Sequence, residues 1–226
     1  MSMGMYLIYF ALLLIVPLWA QMKVKSAYKK YSQVPTSSQM TGFEVARQIL
    51  DENGLFDVTI EEVKGTLTDH YDPRSKTVRL SSDNYHGRSM AASAVAAHEV
   101  GHALQDAEEY GFLKFRTSLV PLAQFGSSTA FYIILAGILF NMMNLLLVGI
   151  FFMAFAVLFQ LVTLPVEFNA SSRAMDQLVG MGIIAHNEER DTKKVLDAAA
   201  LTYVAAALVA VAELFRFILI FLANRD

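Results

Sequence analysis

The sequence has no cysteine and few charged residues. The absence of cysteine in 226 residues excludes disulfides, thiolate metal ligands and a cysteine nucleophile, so a metal site has to use the five histidines and carboxylates. Only 17% of the residues are charged and 55% are hydrophobic, against about 25% and 45–50% in soluble domains. The net charge of −3, without a long basic run, argues against nucleic-acid binding. We therefore expect a membrane protein.

Four apolar stretches are long enough to cross a bilayer, which takes about 20 residues. They cover residues 3–22, 118–140, 145–166 and 201–223, and the short segment 141–144 predicts a tight turn between the second and third. The first stretch lacks the basic start of a signal peptide, so we interpret it as a retained anchor. The fourth carries Glu213 and Arg216, which we expect to form a structural pair inside the span.

The distribution of positive charge predicts the topology. Twelve of the eighteen Lys and Arg residues lie in 23–117, and four more lie between the third and fourth spans. Because basic segments stay in the cytoplasm, both regions are expected there. This predicts a multi-pass protein of the cell membrane with its N-terminus outside.

The polar region 23–117 has the pattern of a small α+β fold. Thr41 and Glu44 form a capping box before a short helix, and alternating apolar residues between 58 and 80 predict two or three short strands. Ser89 is placed to cap a long helix over 90–109, which we expect to be closed by Gly111.

That helix carries the motif His-Glu-x-x-His at His98, Glu99 and His102. Two histidines four residues apart lie on one helical face and can bind one zinc ion. Glu99 is then placed to act as general base toward a water molecule. The alternative is that the two histidines are ordinary residues of a polar face.

A catalytic zinc usually has three protein ligands, so one is missing from the motif. Asp106 continues the same helical face but lies about 12 Å from His98 along the axis, too far for one ion. Glu167, at the end of the third span, is the best candidate, although a solvated boundary carboxylate is the simpler alternative. His70, His86 and Arg173 are candidates for stabilising an oxyanion, and Arg173 is also a possible partner for Glu167.

Three stretches carry a resemblance to a known family. They are Leu-Thr-Asp-His-Tyr-Asp-Pro at 67–73, His-Glu-Val-Gly-His-Ala-Leu-Gln at 98–105 and Pro-Val-Glu-Phe-Asn-Ala-Ser at 165–171. The chain resembles the YugP-like membrane zinc metallopeptidases of bacteria and is more distantly similar to HtpX-type gluzincins. The gluzincin pattern implies Glu167 as third ligand and a substrate-binding edge strand near 77–80. It usually has an orienting Asp four residues after the ligand Glu, where this chain has Ser171, with Asn169 nearby.

Residues and resemblance together predict a mainly α, polytopic membrane protein with four transmembrane helices. The domains expected are an anchor at 1–22, a cytoplasmic zincin-like region with a short sheet and an active-site helix at 23–117, and helices 2–4 at 118–226 with a cytoplasmic loop at about 167–200. The expected function is a zinc metalloendopeptidase with one Zn²⁺ per chain, acting on protein or peptide substrates near the cytoplasmic surface. A non-catalytic zinc-binding scaffold and a hydrolase of non-peptide amides are the alternatives.

Overall fold

The computed structural model describes residues 3–224, apart from the side chain of Ser127. Helices make up 75% of the chain, which confirms the mainly α prediction. The helices are α1 (Met3–Tyr31), α2 (Gly42–Glu52), α3 (Ser82–Tyr85), α4 (Met90–Ala107), α5 (Gly111–Leu139), α6 (Met143–Gly180) and α7 (Glu189–Ala223), with a 3₁₀ turn at His186–Glu188. The strands are β1 (Thr59–Val63), β2 (His70–Asp72) and β3 (Thr77–Ser81).

Within residues 3–224, four helices are long and apolar enough to span a membrane, as predicted: α1, α5, α6 and the segment His186–Ala223 that contains α7. They are longer than the apolar stretches alone indicated. With 38 residues, α6 is about 57 Å long, nearly twice the thickness of a bilayer core. Its C-terminal part stays helical because Ala170, Ala174 and Leu178, four residues apart, are fully buried. The segment predicted as a loop at 167–200 is therefore largely helical.

The chain divides into two compact units. The first contains Gly111–Pro165, the N-terminal part up to Pro17 and the C-terminal part from Tyr203. Here the predicted tight turn is present, with Asn141 in the left-handed conformation at φ 53°. The predicted pair is present as well: Arg216 Nη2 donates to Glu213 Oε2 at 2.5 Å, and Tyr9 Oη donates to Glu213 Oε1 at 2.6 Å.

The second unit contains Leu18–Tyr110 and Val166–Thr202. Its sheet has the order β1-β3-β2, with β3 parallel to β1 and antiparallel to β2. The expectation of an edge strand at 77–80 is therefore wrong, because β3 is the central strand and is hydrogen-bonded on both sides. The edge strand that contacts α4 is β2, which is only three residues long and has a weak sequence pattern.

Helix α4 lies in the core of the second unit. Ser89 Oγ caps it by accepting from Ala92 N at 3.2 Å, as predicted, and the capping box of Thr41 and Glu44 begins α2. Small side chains allow α4 to be enclosed; those exposed by 1% or less are Ala91, Ala92, Ser93, Ala94, Ala96, Ala97 and Ala103. The predicted end at Gly111 is wrong. The helix ends at Ala107 because Glu109 takes the left-handed position, and Gly111 begins α5.

Candidate metal centre

Helix α4 and the part of α6 that lies in the second unit bring the predicted ligand residues together. His98 and His102 lie one turn apart on α4, and Glu167 faces them from α6. His98 Nε2 is 3.3 Å and His102 Nε2 3.6 Å from Glu167 Oε2. One ligand atom from each residue lies within 4.8 Å of the others. The Glu167 side chain is almost completely buried, so it is not a solvated boundary carboxylate.

The spacing of these atoms fits a zinc ion. Zinc–nitrogen and zinc–oxygen bonds of about 2.0–2.2 Å in a tetrahedron put neighbouring ligand atoms about 3.3–3.6 Å apart. The two nitrogen–oxygen separations to Glu167 lie at these values. Two imidazoles and one carboxylate are also the ligand types of a catalytic zinc with one open position. The residues present can therefore hold zinc.

A glycine allows the two helices to approach this closely. A Cβ on Gly101 would lie 2.5 Å from the backbone oxygen of Ala170 and 3.2 Å from its Cα. Any other residue at this position would have to push α6 away from α4. Gly101 precedes His102, and Ala170 lies three residues after Glu167, so the contact is adjacent to the ligands themselves.

The ring nitrogens that face away from Glu167 also have partners. His98 Nδ1 is 3.2 Å from Ser171 Oγ, and His102 Nδ1 is 3.0 Å from Gln105 Oε1. Such contacts hold each imidazole in place with its Nε2 toward the shared site. The pattern implied by the resemblance has a carboxylate where this chain has Ser171, and the hydroxyl still reaches His98.

Glu99 lies in the same helix but is not one of the clustered ligands. Its side chain is buried, and this burial raises the pKa of Glu99 to about 7. The negative charges of Asp69 and Glu167 act in the same direction. The charge of His98 and a backbone hydrogen bond from Tyr71 oppose the rise. A bound zinc ion would oppose this rise in the pKa of Glu99, because it adds positive charge near the carboxylate.

Comparison with known proteins gives a family for this arrangement. A family model described as "Putative neutral zinc metallopeptidase" matches residues 6–222. The chain belongs to this family. It is 57% identical over 208 residues to the "Putative membrane protease YugP" of Bacillus subtilis (strain 168), a match that covers 92% of each chain. No solved structure matches.

The remaining predicted site residues have other contacts. Arg173 Nη1 and Nη2 each donate to the Glu108 carboxylate at 2.7 Å, so its ion-pair partner is Glu108 and not Glu167. His86 Nε2 is 3.2 Å from Glu62 Oε2, and His70 Nδ1 is 2.9 Å from the backbone oxygen of Thr68. Asp106 accepts from Tyr71 Oη at 2.9 Å and lies outside the ligand cluster.

Three residues near the metal centre were missed by sequence reasoning: Gly101, Gln105 and Glu108. Gly101 had a signal, because a glycine inside a helix is unfavourable unless close packing requires it. Gln105 and Glu108 follow His102 at three and six residues, but polar residues at these positions are common on exposed helices. Their partners lie more than sixty residues away in α6, which no local pattern indicates.

Replacing Glu167 by alanine is expected to remove most of the bound zinc, because one of three ligands is lost. Zinc content would be measured by elemental analysis of purified protein after dialysis against metal-free buffer. Asp106→Asn is the matched control, since it removes a nearby carboxylate but keeps an acceptor for Tyr71. Loss of zinc in Asp106→Asn with retention in Glu167→Ala would show that the third ligand is wrongly assigned.

Gly101→Ala is expected to weaken zinc binding by about 5–150-fold, because overpacking of this kind costs about 1–3 kcal/mol and acts between the ligand helices. Alanine is otherwise the better helix former by about 1 kcal/mol, so a loss has to come from the contact with Ala170. Competition with a zinc chelator measures the affinity. Gly180→Ala, where a Cβ meets nothing within 4 Å, is the control. Equal affinities for the two variants would contradict the steric role of Gly101.

Proposed function

We propose that this chain is a zinc metalloendopeptidase that hydrolyses peptide bonds near the cytoplasmic surface of the cell membrane. The observation that carries the proposal is the convergence of His98 Nε2 and His102 Nε2 on one oxygen of Glu167, with Glu99 beside them on α4. The zinc-peptidase family match and the four apolar helices support it. This ligand set and the His-Glu-x-x-His spacing are those of gluzincin-type peptidases.

Different side chains bind the metal and transfer the proton. His98, His102 and Glu167 hold the ion, and zinc held there would supply Lewis acidity that lowers the pKa of water and polarises a carbonyl group. Glu99 accepts a proton from the attacking water and passes it to the leaving amine. Burial of Glu99 limits its contact with bulk water and so favours proton exchange with the reacting groups.

The substrate is a protein or peptide in an extended conformation. An extended chain binds most readily to a free sheet edge, where backbone groups are available. The edge of the sheet that borders α4 is β2. Tyr71 in this strand contacts α4, because its hydroxyl group donates a hydrogen bond to Asp106, which lies one turn after His102. We therefore assign substrate alignment to β2 instead of β3.

Glu99→Gln is expected to lose about 10²–10⁴-fold in turnover and to keep zinc and fold, because glutamine has nearly the same shape but cannot accept the proton. Turnover would be measured with purified protein on an unfolded protein substrate, beside zinc content and thermal unfolding. His98→Ala should lose zinc and activity together.

The control for this experiment is Asp106→Asn, which is expected to keep its activity. Wild-type turnover in Glu99→Gln would exclude Glu99 as the base. A wild-type protein that binds zinc but cleaves neither proteins nor peptides would favour the non-catalytic scaffold. Cleavage of small non-peptide amides alone would favour a hydrolase of such amides.

The proposed orientation places both termini outside the cell and the second unit in the cytoplasm, because its Lys and Arg residues are concentrated there. The absence of cysteine makes a direct test possible. Gln33→Cys, after α1, should be protected from an impermeant thiol reagent in intact cells, and Asn144→Cys, at the start of α6, should be labelled. Both positions are exposed. The reverse labelling pattern would rule out the orientation and leave the zinc chemistry unaffected.

A further inference from the structure

One buried amide connects the metal ligands of the two helices. Gln105 is fully buried and lies one turn after His102 on α4. Its Oε1 is 3.0 Å from His102 Nδ1. Its Nε2 donates to the backbone oxygen of Val166 at 2.8 Å and to Asn169 Oδ1 at 2.9 Å. Val166 directly precedes Glu167, so this side chain joins one ligand to the backbone beside another.

The direction of these hydrogen bonds is fixed because two of the groups involved can only donate or only accept a hydrogen bond. A guanidinium group can only donate, and Arg173 Nε is 2.8 Å from Asn169 Oδ1, so that atom must be the amide oxygen. A backbone carbonyl can only accept, so Gln105 must present its NH₂ group to Val166 and to Asn169. Its oxygen then faces His102, and His102 Nδ1 has to carry the hydrogen.

This protonation state is the one that metal binding requires. With its hydrogen on Nδ1, a neutral His102 has the lone pair of Nε2 directed at Glu167 Oε2, 3.6 Å away. Two electron-rich atoms at this distance favour a cation between them. The contrast is His98, whose Nδ1 meets the hydroxyl of Ser171, a group that can donate or accept and so selects neither tautomer.

Arg173 is held in position by its other contacts. Both terminal nitrogens bond to the Glu108 carboxylate in a bidentate pair, and the guanidinium lies 6.0 Å from the ring of Tyr110. Glu108 is more than half exposed, so the pair adds little stability through charge alone. Its fixed geometry instead directs Arg173 Nε at Asn169.

We propose that Gln105 is a positioning residue that sets the tautomer of His102 for zinc, and that Asn169 and Arg173 orient its amide. The proposal rests on the zinc site of the proposed function. It predicts unequal dependence of the two histidine ligands on their supporting contacts: zinc binding depends more on the contact of Gln105 with His102 than on the contact of Ser171 with His98.

The experiment compares zinc affinities of the full-length protein by chelator competition, without an activity assay. Gln105→Met and Gln105→Glu both lose the donor bonds to Val166 and Asn169, but only glutamate keeps an acceptor for His102 Nδ1. Gln105→Met is expected to bind zinc about 10–100-fold more weakly, as is typical when an outer contact of a ligand is removed. Gln105→Glu should stay within about threefold of wild type, because carboxylate–histidine–zinc contacts are common.

Two controls and a spectroscopic measurement complete the design. Gln177→Met replaces a glutamine of α6 that bonds Asn53 outside the site, and should leave zinc affinity unchanged. Ser171→Ala should lower zinc affinity by less than Gln105→Met does, because the Ser171 hydroxyl holds the His98 ring but does not select its tautomer. In cobalt-substituted protein, the visible spectrum should change in Gln105→Met and match wild type in Gln105→Glu, because the spectrum follows the geometry of His102 at the metal.

Equal loss of affinity in Gln105→Met and Gln105→Glu would overturn the proposal. Gln105 would then only stabilise the packing of α4 against α6 through its hydrogen bonds. Should a Gln105 variant not fold, Asn169→Asp and Asn169→Leu give the second comparison. Aspartate keeps the oxygen that receives Gln105 and Arg173 and should keep the affinity, whereas leucine should lower it; equal affinities would contradict the proposal. A wild-type protein without zinc affinity would instead remove the proposed function.

Discussion

The contact between Gly101 and Ala170 determines how closely α4 and α6 approach each other, and the metal centre depends on that distance. The two histidines are brought onto one face by the helix itself, but Glu167 comes from a helix that begins forty-one residues after His102. With a Cβ at Gly101 lying 2.5 Å from a backbone oxygen, α6 would have to move by a large part of an ångström. A shift of that size is large for a tetrahedral site, whose ligand separations allow only a few tenths of an ångström.

Close helix packing would be of little use if it left polar groups unsatisfied, because a buried amide or imidazole without a partner costs about 1–3 kcal/mol. Gln105 is such a group, and its three bonds use the Nδ1 of a ligand, a backbone carbonyl and the side chain of Asn169. The same bonds that satisfy Gln105 also orient His102. Stability and metal binding therefore depend on the same contacts. Gln105→Glu and Gln105→Met separate the two effects, because only the first variant keeps an acceptor for His102 Nδ1.

Much of the fold follows from patterns that are local in sequence. Four apolar stretches, the capping box at Thr41 and the Ser89 cap each have their cause within a few residues, and the structure contains all of them. The errors concern tertiary context. The last turns of α6 and the first turns of α7 lie outside the apolar stretches. They are helical because they contribute buried residues to the second unit. The central position of β3 depends on a parallel pairing with β1 that alternation cannot indicate.

For the metal centre too, the residues with a local sequence pattern could be predicted and the contacts set by tertiary structure could not. Spacing in one helix was enough to predict His98, Glu99 and His102, and topology with resemblance pointed to Glu167. The partner of Arg173 could not be derived, since Glu167, six residues away, and Glu108, sixty-five residues away, are equally acceptable anions until α4 and α6 are placed side by side. Once they are, the two terminal nitrogens of Arg173 bond to Glu108, and Nε donates to Asn169 Oδ1. Held in this way, Arg173 orients Asn169, and through it Gln105 and the zinc ligand His102.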